Sequence, residues 1–228
     1  MNKNRLERTL PIAGIAFAAL LVIAAAAFPA PAGDDSPARH PAWLANHQAA
    51  VAVQGYIRAI AALAFAALAL AVAHTIRDRV GQRSLAARIA LVGGTLYGGA
   101  LLLAQGAGIA AVIASHEHAG PQAVSALGFL EDGLLAVSSL PAIGLFAAAG
   151  ARFLSDRLVP RWLAWLTLAG VPLALLDAAS FSGSPFEPVG IIGLAYFLIW
   201  ALATGTALLR RSANEPRQAG LAAGLADA

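Results

Sequence analysis

Cysteine is absent from all 228 residues, so disulfides and thiolate metal ligands are excluded. Charge is scarce as well. Asp, Glu, Lys and Arg make up 12% of the chain, about half the share of a soluble domain. Lysine occurs once, against fourteen arginines. The chain also lacks a Walker loop, a G-x-S-x-G elbow and an H-E-x-x-H helix. His74, by the cytoplasmic arginines, is a single in-span histidine and makes no case for haem ligation, and no cofactor is expected. The sequence pI of 9.9 reflects Arg-rich loops beside anionic headgroups and is no argument for nucleic acid.

Apolar residues are abundant: 59% of the chain, with a mean hydropathy of +0.72. They fall in six stretches, at 10–28, 59–75 with a start near Trp43, 89–115, 124–151, 162–179 and 189–209. A helix needs about 20 such residues to cross a hydrocarbon core of about 30 Å. Helices satisfy their own backbone in lipid, so open strands do not compete. The expected fold is all-α, a polytopic bundle of six transmembrane helices over residues 1–211. A short polar cytoplasmic tail, 212–228, is expected to be disordered.

Orientation follows from the basic residues, which concentrate on the cytoplasmic side. Lys3, Arg5 and Arg8 precede the first span, and Arg77, Arg79, Arg83 and Arg88 lie between the second and third. Arg152, Arg157 and Arg161 join the fourth to the fifth, and Arg210, Arg211 and Arg217 follow the sixth. Only Arg39 and Arg58 fall on the other side. Both termini are therefore cytoplasmic, and the loop at 29–41, with Asp34, Asp35 and four prolines, is extracytoplasmic. A basic start, an apolar core and Ala30-Pro31-Ala32 also fit a cleavable signal peptide, but about 18 apolar residues exceed its usual 7–15. An uncleaved anchor is expected.

Lipid gives helices no hydrophobic reason to associate, so small residues must let backbones approach. Gly94 and Gly98 form a GxxxG pair in the third span, which serves packing within the chain or a homo-oligomer face. Gly106-Ala107-Gly108-Ile109-Ala110-Ala111 matches G-x-G-x-x-A, but a dinucleotide site needs that motif between a strand and a helix. Pro141 and Pro172 fall inside spans and deprive the carbonyls of Val137 and Leu168 of their helical partners. Ser138 and Ser139 stand ready to satisfy such groups.

Charges inside a span are costly and face the protein interior, where they mark function. Arg58, Glu131, Asp132 and Asp177, with Gln105, fall at a similar depth on four helices, in roughly the outer third. His47, Gln54 and Arg58, spaced by seven and four, share one helical face. The fork of Arg58 matches the carboxylate of Glu131 or Asp132, and pairing relieves part of the desolvation. A layer at the outer headgroups is the bland alternative, opposed by apolar sequence beyond it at 49–53 and 124–130. The expected site is thus an outward-facing pocket for a small polar molecule, ion or proton.

Four of five histidines are extracytoplasmic. His116 and His118, with His47 and a carboxylate, are candidate zinc ligands for a membrane hydrolase, although His-x-His in a short loop also suits solvent. A third reading is a non-catalytic membrane partner docking through the Gly-rich third span.

Three further segments bear on family. Gly128-Phe129-Leu130-Glu131-Asp132-Gly133-Leu134-Leu135 opens the fourth span, Val159-Pro160-Arg161-Trp162-Leu163-Ala164-Trp165 the fifth, and Leu198-Ile199-Trp200 lies in the sixth. Through these the last hundred or so residues resemble a family of bacterial six-helix membrane proteins, a domain of unknown function. That resemblance implies six helices in a bacterial inner membrane and brings no activity.

Overall fold

The computed structural model describes residues 9–28, 40–76, 84–179 and 187–226, with side chains of the last stretch described from 192 to 213. Lys3, Arg5, Arg8, Arg39, Arg77, Arg79 and Arg83 lie outside the described residues, as do Asp34, Asp35 and Ala30-Pro31-Ala32. Among the described residues there are six helices and no strand: α1 Ile12–Ala27, α2 Pro41–Thr75, α3 Leu85–His116, α4 Pro121–Ser155, α5 Arg161–Ala178 and α6 Glu187–Ala226. Five of them are long and apolar enough to cross a membrane. The sixth, α1, has 16 apolar residues, a length of about 24 Å. The fold is an all-α membrane bundle. The last helix continues to Ala226, where an irregular tail was expected after Arg211. In residues 212–226 the good helix formers Ala and Leu outnumber the breakers Pro216, Gly220 and Gly224.

Each helix packs against the next in sequence, and α6 returns to α1, so the six close into a ring. Helix α2 also touches α4 and α6 and so lies toward the middle. Aromatic rings fill the centre. Phe65 meets Phe17, Tyr97, Phe197 and Trp200 at centroid distances of 5.1, 4.6, 6.1 and 6.1 Å. Phe146 meets Trp200 edge-on at 5.0 Å. Their polar handles are satisfied within the bundle: Trp200 Nε1 donates to Thr167 Oγ1 at 3.0 Å, and the Tyr196 hydroxyl to the Leu166 carbonyl at 2.8 Å. Large rings can fill a core only when such groups find partners. Trp162 and Trp165 instead face outward, as suits rings at a lipid boundary.

Close backbone approach holds the ring together. A Cβ on Gly93 would stand 2.5 Å from the Pro141 carbonyl oxygen of α4, and one on Gly98 3.0 Å from the Ala62 carbonyl oxygen of α2. Gly94 packs onto Ala69 of α2. The Gly94–Gly98 pair therefore contacts α2 of the same chain. Where α1 meets α6, a Cβ on Gly14 would lie 2.5 Å from the Ala201 carbonyl oxygen.

The helices differ in length, which gives the bundle two storeys. Helices α2, α3 and α4 have 35, 32 and 35 residues, or about 50 Å each. They run well beyond the 18-residue α5. At their far ends Leu44, Ala111, Val112 and Val124 form a second apolar cluster, separate from the main core. A cleft adjoins this second cluster through Leu44 and Val51.

Candidate functional site

Three elements build the cleft. Helix α2 contributes Gln54, Gly55 and Arg58, α3 contributes Gln105 and Gly108, and α4 contributes Glu131. Leu44 and Val51 of α2 line it on the side of the upper cluster. Gln54, Gln105 and Glu131 are buried, and Arg58 is partly so. The negative charge of Glu131 acts on the Arg58 guanidinium. Attraction between a cation and a carboxylate in one desolvated space offsets part of what burial costs each. The volume is about 10 Å³, room for one water molecule.

Gly108 is what lets the carboxylate in. A Cβ there would stand 2.8 Å from Glu131 Oε2 and 3.0 Å from Oε1. The G-x-G-x-x-A match in this span therefore has a spatial meaning unrelated to nucleotides: missing side-chain atoms on α3 make a seat for an acid on α4. Sequence reasoning passed over Gly108. Its position one turn after Gln105 on the same helical face was the available cue. Gln54 has a second duty. Its Nε2 donates to the Ala24 carbonyl at 2.9 Å, and Ala24 lies in the last turn of α1, where carbonyls have no helical partner. The cleft is thus tied to the first helix.

The remaining candidates lie elsewhere. Asp177 of α5 does not line the cleft; Ser139 of α4 donates to its Oδ2. The Asp177 carboxylate also abuts Gly193 of α6, and its charge acts on Tyr97 of α3. The four-helix layer read from the sequence therefore resolves into two groups. Ser139 serves Asp177 rather than the carbonyls near Pro141, while Ser138 donates to the Leu135 carbonyl at 2.7 Å. Asp132 is half-buried and, one residue on from Glu131, is turned about 100° away from it; it does not line the cleft.

His47 does not line the cleft either. It breaks α2, with φ −126° and ψ 18°, and its ring donates from Nδ1 to the Trp43 carbonyl at 2.8 Å. The ring also stacks on Trp43 at 4.2 Å. His116 and His118 are exposed. His116 Nδ1 lies 3.3 Å from Gln48 Oε1, and Gln48 Nε2 donates to Ser115 Oγ at 3.4 Å. Among the described residues no three His, Asp or Glu groups converge on a point that would hold a metal ion.

No family model, no curated protein and no solved structure matches this chain. Function therefore has to be argued from the cleft itself.

Proposed function

We propose that this is a multi-pass protein of a bacterial cytoplasmic membrane, with both termini inside, that binds or moves a small polar molecule, ion or proton at an outward-facing cleft. One observation carries the reading: Arg58, Glu131, Gln54 and Gln105, from three helices, share a cleft that adjoins the second apolar cluster. A residue set that merely met the headgroups would not need an apolar storey beyond it. Ionisable groups held at such a depth are expensive, and their usual return is a pathway or a binding site.

The pair sets the chemistry. Its formal charges cancel, so a lone anion taken by Arg58 leaves Glu131 needing a proton or a cation. A proton taken by Glu131 releases Arg58 in the same way. The two amides add donors and acceptors without adding charge. The site suits a species that brings balanced charge or exchanges with a proton.

The test is thermal unfolding of the detergent-purified protein against a panel of small acids, amines, zwitterions and monovalent salts, repeated with Glu131→Gln and Arg58→Gln. The expected result is stabilisation by at least one chemical class, of about 2.7 kcal/mol at a hundredfold excess over Kd, lost in both variants. Identical responses from wild type and variants across the panel would remove the binding role.

A further inference from the structure

The cleft as it stands has space for one water, so a larger occupant requires that something move. The side of the upper cluster is where the fold provides for movement. Leu44 lines the cleft and is also fully buried in that cluster, against Ala111, Val112 and Val124. It sits on the first turns of α2, which are separated from the rest of the helix by the break at His47. Sharp bends in helices fall where a side chain inserts into the backbone ladder, and here the His47 ring donates to the Trp43 carbonyl. Below the break α2 is committed to the core through Phe65, Leu68 and Val72.

What holds the upper segment down is modest. Among the described residues the upper cluster has four buried members, and Leu44 is its one member from α2. Gln48, which makes two long hydrogen bonds to Ser115 and His116, lies on the core side of the break and ties the rest of α2 instead of residues 41–46. A small cluster opens more readily than a core does.

We propose that residues 41–46 form a plug hinged at His47, with Leu44 as its stopper, gating the Arg58–Glu131 cleft. This rests on the cleft being the functional site, but its test does not depend on any ligand. The chain has no cysteine, so Gln105→Cys places a single thiol in the cleft. The probe is a membrane-impermeant methanethiosulfonate applied to one face of oriented proteoliposomes at a time. Labelling from the extracytoplasmic face is expected to be slow in the Gln105→Cys protein. Leu44→Ala should speed it by at least about tenfold, as expected from removing a buried leucine from a cluster this small. Gln48→Ala alters α2 on the core side of the hinge and should leave the rate unchanged. A second thiol site, Leu103→Cys, exposed on α3 within the membrane span, should stay unlabelled by the charged probe in every background, which separates gating from unfolding.

Equal rates in all three Gln105→Cys backgrounds, or faster labelling from the cytoplasmic face, would overturn the plug. Faster labelling at Gln105 together with no response in the solute panel would leave the gate standing and remove the binding role. The converse result would do the reverse.

Discussion

At the scale of single residues, Arg58 and Glu131, which line one cleft, decide most, and the proposal that they pair can be tested directly. Removing one member of a buried ion pair strands the other and costs about 3–5 kcal/mol, whereas replacing both by apolar groups is often neutral. Arg58→Leu and Glu131→Leu should therefore each destabilise the protein in detergent, and the double variant should be less damaged than the sum of the two. A coupling of about 1–3 kcal/mol is expected from a double-mutant cycle on the unfolding midpoint. Strict additivity would show that the two side chains do not interact. The sequence showed these groups as costly charges at similar depth, and Gln54 and Arg58 four residues apart do share the cleft. What it could not show was azimuth across helices. Asp132 and Asp177 pass every depth criterion that Glu131 passes, yet only Glu131 lines the cleft. Depth comes from counting along one chain; direction depends on how neighbouring helices rotate and pack, which no single-helix pattern contains.

At the scale of elements, α1 is the informative helix. It contributes Phe17 to the aromatic centre and Gly14 to a backbone contact with α6. Its last turn also receives the Gln54 amide. Those contacts make it a wall of the ring. Gly14→Leu should force α1 away from Ala201 and Gly205 and destabilise the fold by about 1–3 kcal/mol or more, the usual cost of overpacking. Gly99→Leu, a glycine with open space around it, is the matched control and should cost far less. Equal losses in thermal unfolding would mean that α1 is not packed as described. The six elements were legible because their apolar runs are long and their breaks are rich in proline or arginine. The break at His47 was not legible. Nothing but a lone histidine marks it; in the fold its ring stacks on Trp43 and donates to the carbonyl of the preceding turn.

For the whole molecule, the arginine bias and the ring order make one joint statement. Consecutive helices that run antiparallel and close on the first must be even in number if both ends lie on one side. Six helices satisfy that. A fluorescent reporter fused after Ala228 should therefore light up in the cytoplasm, and a phosphatase fused after His118 should be active outside. Reversed signals at both sites would invert the cleft and turn the proposed mouth toward the cytoplasm. The opposite result at one site alone would break the ring order.

Seven residues on from Arg58 along α2, the ring of Phe65 packs against Tyr97, Phe197 and Trp200, and Tyr97 stacks on Phe197. If the cleft takes an ion as proposed, that aromatic mass would lie further along the same helix, where carbon conducts no charge. Admitting a guest from above would then leave the voltage across the membrane intact.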